Sequence, residues 1–93
     1  MAGALEVDLV DAVGKVWSGK ARQVSAPAAD GEIGILAGHT PVLSVLRAGE
    51  LRVRTADEGV LSWRVDGGFL SVDSDTVTIV VDALSDSTAA SSH

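Results

Sequence analysis

Residues 31–41 read Gly, Glu, Ile, Gly, Ile, Leu, Ala, Gly, His, Thr and Pro, which places three glycines, one acid, one histidine and one proline around a short apolar run. Glycine adopts backbone angles that other residues avoid, and proline removes a backbone hydrogen-bond donor. This density of turn-forming residues predicts a shaped turn between two strands. Such a turn serves either the architecture alone or a docking surface.

Apolar and polar residues alternate along most of the remaining chain. Leu61, Trp63 and Val65, for example, alternate with Ser62 and Arg64. This period of two sends apolar side chains to one face of a strand, and we expect Trp63 to lie in the core. Regular or weaker forms of the pattern predict eight short strands, at residues 5–9, 16–26, 33–36, 42–46, 50–54, 61–65, 69–72 and 77–81.

The run at residues 42–46 also fits a helical spacing, but Pro41 and Gly49 leave room for barely two turns, which favours a strand. The connections between strands are too short for crossover helices, so the pairing should be mainly antiparallel. We therefore predict an all-β fold, an antiparallel β-sandwich or flattened barrel of about eight to ten short strands. Structural turns are assigned to Gly34, Gly38, Gly67 and Gly68.

Composition narrows the possible functions. The 93 residues suit one domain, predicted over residues 1–84, with the polar residues 85–93 as a flexible tail. Seven Lys and Arg against 13 Asp and Glu give a net charge of −6, the wrong sign for binding nucleic acid. The absence of cysteine excludes disulfides and thiolate metal sites.

No secretory signal is evident, which favours the cytoplasm, and no apolar run is long enough to insert in a membrane.

One segment comes close to a phosphate-binding loop. Gly14 is followed after four residues by Gly19 and Lys20, but Ala21 stands where the loop needs a Ser or Thr hydroxyl for Mg²⁺. The following residues alternate like a strand, whereas a phosphate loop opens a helix. We therefore interpret Gly19 as a turn or bulge and Lys20 as a solvated side chain, which disfavours the alternative of nucleotide hydrolysis.

Other candidate sites also lack residues that their chemistry requires. His39 could join Ser44 and Asp66 in a catalytic triad, but no nucleophile elbow surrounds them, and one histidine cannot make a zinc site. Asp73 and Asp75 lack the further ligands of a calcium loop and are interpreted as turn residues. The residues therefore predict no catalytic, cofactor-binding or metal site, which favours a binding or structural role.

The order and spacing of these residues resemble the epsilon subunit of rotary F-type ATP synthases over residues 5–83. The family has an aromatic residue, Ser and Gly where this chain has residues 17–19. It also has the glycine, acid, histidine and proline pattern of residues 31–41, the paired glycines of residues 66–72, and an apolar strand like residues 77–81.

The resemblance implies an amino-terminal β-sandwich of the central rotor stalk, without catalytic residues or a cofactor. Such a domain links the gamma subunit to the ring of c subunits and supports assembly and rotary coupling of proton flow to ATP synthesis. It lies peripherally at the cytoplasmic face of the cell membrane. By position, the resemblance assigns contact with the c ring to Gly31 and Glu32, and contact with the gamma subunit to His39, Thr40, Pro41, Val42 and Ser44.

Two departures from the family pattern matter. Ala37 stands where relatives usually carry proline, which should loosen the turn. Family members also commonly continue into two carboxy-terminal helices that restrain ATP hydrolysis, and if this sequence is complete we expect assembly and coupling without that helical brake. The alternative from another class is a stand-alone ligand-binding β-sandwich, which should contain a deep apolar pocket.

Overall fold

The protein is all-β across the residues that its computed structural model describes, namely 4–57, 59–82 and 84–87. Nine strands lie within these ranges, and none of the described residues forms a helix that could cross a membrane. The strands are β1 (Leu5–Val10), β2 (Lys15–Ala28), β3 (Gly31–Leu36), β4 (Val42–Leu46), β5 (Gly49–Thr55), β6 (Val60–Val65), β7 (Gly68–Asp73), β8 (Thr76–Val81) and β9 (Leu84–Ser87).

The strands form two groups that share β2. In the first group β1, β8, β7 and β4 are hydrogen-bonded in that order, and both β1 and β4 pair with β2, which closes a ring. In the second group β3 and β5 each pair with β2, and β6 and β9 continue outward from β5. Eight of these pairings are antiparallel and the β1–β8 pairing is parallel.

The core lies between the two groups, because the alternation predicted from the sequence places one face of each strand inward. Trp63 is buried as predicted, and its ring centroid lies 6.1 Å from that of the half-buried Trp17. Fully buried large side chains come from both groups: Leu5, Val7, Leu9, Val24, Ile35, Leu51, Val53, Val65, Leu70, Val72, Val77 and Ile79.

The predicted fold class is confirmed, and all eight predicted strands are present, including the ambiguous one at Val42–Leu46. The predicted tail is wrong at residues 85–87, because Leu84–Ser87 form β9 and pair with the outer edge of β6. Backbone hydrogen bonding along an open edge does not require an apolar side-chain pattern, so composition could not reveal this strand. Residues 88–93 lie outside the described ranges.

Three of the four glycines predicted in turns do have positive φ angles: Gly38, Gly67 and Gly68. Gly34 was wrongly assigned to a turn, because it lies inside β3 opposite Ser25 without a positive φ. The interpretation of Gly19 as a turn or bulge is also wrong. Gly19 pairs with Val7 inside β2, and a Cβ atom there would lie 2.8 Å from the indole of Trp17, so this glycine makes room for the ring.

Gly68 should be the glycine least tolerant of a side chain. Its φ is +143°, and a Cβ atom there would collide with the backbone carbonyl of Val80 on β8. We expect Gly68→Ala to lower the free energy of unfolding by about 3 kcal/mol through backbone strain and overpacking. Gly34→Ala is the matched control, because the nearest atom to its Cβ would be 3.7 Å away, and it should change stability by less than about 0.5 kcal/mol. Equal urea midpoints for the two variants would contradict this account.

Candidate docking surfaces

Gly31 and Glu32 lie at one end of the molecule, where β2 turns into β3. Gly31 begins β3 with a φ of +132°, and the exposed Glu32 pairs with Pro27 of β2. Both residues line an open groove of about 400 Å³. Arg47, Glu50 and Arg52 from the β4–β5 segment complete its charged walls. The groove therefore presents charges of both signs to solvent and differs from the deep apolar pocket expected of a ligand-binding sandwich.

His39 and Thr40 lie at the other end of β3, in the turn that leads to β4. The backbone N–H of His39 donates to the carbonyl of Leu36 at 3.1 Å, which closes the turn. The Nδ1 atom of His39 lies 2.7 Å from the carbonyl oxygen of Thr40. A carbonyl can only accept a hydrogen bond, so Nδ1 donates, and the half-buried ring keeps Nε2 for another partner.

Asp75 holds this turn from a different hairpin. Its carboxylate accepts a hydrogen bond of 2.7 Å from the backbone N–H of Gly38. Its own carbonyl oxygen accepts from the N–H of Glu6 at the start of β1, at 2.8 Å. The interpretation of Asp75 as a turn residue is confirmed, since it follows Ser74 at the tip of the β7–β8 hairpin. Sequence reasoning missed its contact with Gly38, because nothing local in the sequence links two turns 37 residues apart.

The outer face of the β4–β7–β8 strands carries large apolar side chains. Val45 of β4 pairs with Phe69 of β7, and Phe69 pairs in turn with Val80 of β8. Directly paired residues point to the same face, so these three exposed side chains form a row across the strands, with the exposed Leu43 beside Val45 on β4. We call Leu43, Val45, Phe69 and Val80 the apolar patch. Contiguous exposed apolar surface of this kind marks an interaction site.

The residues predicted on β4 lie one position away from this surface. Val42 and Ser44 are half-buried on the inner face of β4, whereas Leu43 and Val45 point outward. A shift of one residue reverses the face of a strand, so the side chains of Val42 and Ser44 lie on the opposite face of β4 from the apolar patch. Thr40 and Pro41 are exposed in the turn before β4.

The weak catalytic alternatives find no support in this geometry. Gly19 and Lys20 lie within a strand, and Lys20 forms an exposed ion pair with Glu6 at 3.7 Å. Nδ1 of His39, which a triad carboxylate would hold, is bound to Thr40 instead. Across the described part of the chain, no three His, Asp or Glu residues are grouped closely enough to hold a metal ion.

The sequence that forms these strands matches a known family. The family model described as the β-sandwich domain of the ATP synthase delta/epsilon chain matches residues 4–86. The chain belongs to this family. The resemblance seen in residues 31–41 is thereby confirmed.

Several curated relatives support the assignment. The ATP synthase epsilon chain of Micrococcus luteus is 52% identical over 75 residues, which cover 81% of this chain and 82% of that protein. The ATP synthase epsilon chain 1 of Methylococcus capsulatus is 46% identical over 80 residues, covering 86% of this chain but 57% of that protein. The chain thus spans little more than half the length of some of its relatives.

Solved structures share the fold. A chain of the Euglena gracilis mitochondrial ATP synthase, from an assembly described as OSCP, F1 and c-ring, aligns with a TM-score of 0.83 at 21% identity. The alignment covers 90% of this chain and 54% of that chain. A chain of the Tetrahymena thermophila mitochondrial ATP synthase central stalk and c-ring aligns with a TM-score of 0.76 at 23% identity, covering 88% and 66%.

The hydrogen bond to Thr40 predicts the tautomer of His39. In its neutral form the ring should carry its proton on Nδ1, because the carbonyl oxygen of Thr40 needs a donor at that position. Long-range ¹H–¹⁵N correlation spectra distinguish a protonated from an unprotonated Nδ1 by its nitrogen shift. The terminal His93 serves as the internal comparison, and a His39 ring protonated on Nε2 alone would contradict the geometry described here.

Proposed function

We propose that this protein is a non-catalytic central-stalk subunit of a proton-translocating ATP synthase, linking the gamma subunit to the c ring at the cytoplasmic face of the cell membrane. The observation that carries the proposal is the presence of two unlike surfaces on one domain. A charged groove lies at the β2–β3 end, and an apolar patch covers β4, β7 and β8. One domain can thereby hold two different partners at once.

The apolar patch and the turn at residues 37–40 are proposed to meet the gamma subunit. The patch offers large side chains from three adjacent strands, and the turn before β4 adds the free Nε2 of His39 and the exposed Thr40 and Pro41. An apolar centre with polar groups at its rim is the usual composition of a stable protein interface. Val42 and Ser44, on the inner face of β4, are proposed to fix the position of this strand rather than to contact the gamma subunit directly.

The β2–β3 turn is proposed to meet the polar loops of the c ring. Gly31 gives the chain the positive φ that begins β3, and Glu32 then projects into solvent at the rim of the groove. A carboxylate beside two arginine side chains can engage loops that carry charges of either sign. This end is proposed to act peripherally, with no segment inserted into the membrane.

Val45→Asp tests the apolar patch. A carboxylate there would be desolvated on docking, so we expect the dissociation constant for the gamma subunit to rise by roughly tenfold or more. Val60→Asp is the matched control, because Val45 is 55% exposed and Val60 is 52% exposed on strands of opposite groups. It should leave binding within about twofold of the unmodified protein. Calorimetric titration measures both, and equal losses for the two variants would contradict docking through the patch.

Glu32→Lys tests the groove. Reversing this exposed charge should weaken co-purification with the c ring by several-fold, because charge at an interface rim controls encounter and specificity. Asp57→Lys, an equal reversal at the opposite end of β5, is the control and should co-purify normally. Unchanged recovery of the Glu32→Lys protein with the c ring would argue against this contact.

A further inference from the structure

We infer that Asp75 is a positioning residue for partner docking, because its carboxylate fixes the turn at residues 37–40 against the tip of the β7–β8 hairpin. The inference rests on the proposed function, in which this turn and this patch form one surface for the gamma subunit. It concerns a residue that lies on the β7–β8 hairpin rather than in the turn itself.

The position of Asp75 is set by two unusual backbone angles. Ser74 has a φ of 51° and Asp75 a φ of 62°, so the two central residues of this tight hairpin turn are both left-handed. Such a turn matches the twist of antiparallel strands, and its second position usually carries glycine. Aspartate tolerates the conformation better than most residues. Glycine at position 75 would complete the same turn but would leave no carboxylate.

The backbone and the side chain of Asp75 each accept a hydrogen bond from a different segment of the chain. The carbonyl oxygen accepts a hydrogen bond from the N–H of Glu6. This bond joins the hairpin to the start of β1, beside the parallel β1–β8 pair. The carboxylate accepts a hydrogen bond from the N–H of Gly38, which joins the same hairpin to the β3–β4 turn. Removing the carboxylate therefore frees the turn while the bond to β1 remains.

The turn depends on this outside support. Its two other hydrogen bonds, from His39 N–H to Leu36 and from His39 Nδ1 to Thr40, both lie within residues 36–40 and shape the turn without holding it against the strands. Ala37 precedes Gly38, so no proline stiffens this point. The bond from Gly38 to Asp75 ties the turn to the tip of the β7–β8 hairpin, whereas Phe69 and Val80 lie near the opposite end of these two strands.

A surface that already has its bound conformation loses less conformational freedom on binding. The carboxylate of Asp75 thus contributes to affinity by ordering His39, Thr40 and Pro41 before the partner arrives. A charge-assisted hydrogen bond to a backbone N–H is stronger than a neutral one, although exposure to water reduces its contribution here.

Three variants separate this role from the stability of the hairpin. Asp75→Gly suits the left-handed backbone and removes the carboxylate, whereas Asp75→Asn suits the backbone and keeps an oxygen acceptor. Ser74→Gly is the control for flexibility at the neighbouring turn position. We expect the dissociation constant for the gamma subunit, measured by calorimetry on the full chain, to rise roughly tenfold for Asp75→Gly, and to stay within about twofold for Asp75→Asn and Ser74→Gly.

Amide hydrogen exchange at Gly38 gives a readout that does not require the partner. Exchange should be faster in Asp75→Gly alone, with the thermal midpoint of unfolding and the exchange of the core amides unchanged. Unaltered exchange at Gly38 in that variant, or a general loss of core protection, would overturn the local positioning role.

The two proposals fail in different ways. If the unmodified chain does not bind the gamma subunit, the proposed function fails and the Gly38 exchange still decides whether Asp75 holds the turn. If the unmodified chain binds and Asp75→Gly binds equally well, the proposed function stands and the positioning role of Asp75 is wrong.

Discussion

The backbone of β2 is the constraint on which the rest of the structure depends. Its 14 residues hydrogen-bond to β1, β3, β4 and β5, so the strand belongs to both groups at once. A register shift between Ala21 and Gln23 lies where its pairing with β1 ends and its pairing with β3 begins. Local irregularities of this kind bend a strand and increase its twist, which lets one strand pass from the first layer into the second.

Closure around β2 leaves two outer faces of different chemistry. On β5 the outward residues include Arg52 and Arg54, which lie beside polar residues of β2. On β4, β7 and β8 the outward residues include the four apolar side chains of the patch. Both faces enclose the same core, so folding alone does not require this difference. An exposed Phe69 between Val45 and Val80 is better explained by a partner than by the stability of the isolated domain.

The sequence predicted correctly those features that depend on residues close together in the chain. Period-two alternation located eight strands and the buried Trp63, and the glycines at positions 38, 67 and 68 do have positive φ. The sequence did not predict features that depend on contacts between distant segments. The pairing of β9 with β6, the space that Gly19 leaves for Trp17, and the bond from Gly38 to Asp75 all depend on segments that the fold brings together. The inner and outer faces of β4 could not be distinguished from the sequence, because four of its five residues are apolar and show almost no alternation.

The two proposed docking ends are joined by a strand that cannot easily change length. All six residues of β3 pair with β2, and Ile35 is anchored in the core, so β3 cannot slide without exposing apolar side chains and breaking its pairing. Strands rise about 3.4 Å per residue, so β3 spans roughly 17 Å between the turn that carries Glu32 and the turn that carries His39. In the proposed role, a displacement imposed at one partner would therefore pass through paired backbone to the other. The bond between Gly38 and Asp75 continues that path beyond the end of β3, because it connects the turn to the tip of the β7–β8 hairpin.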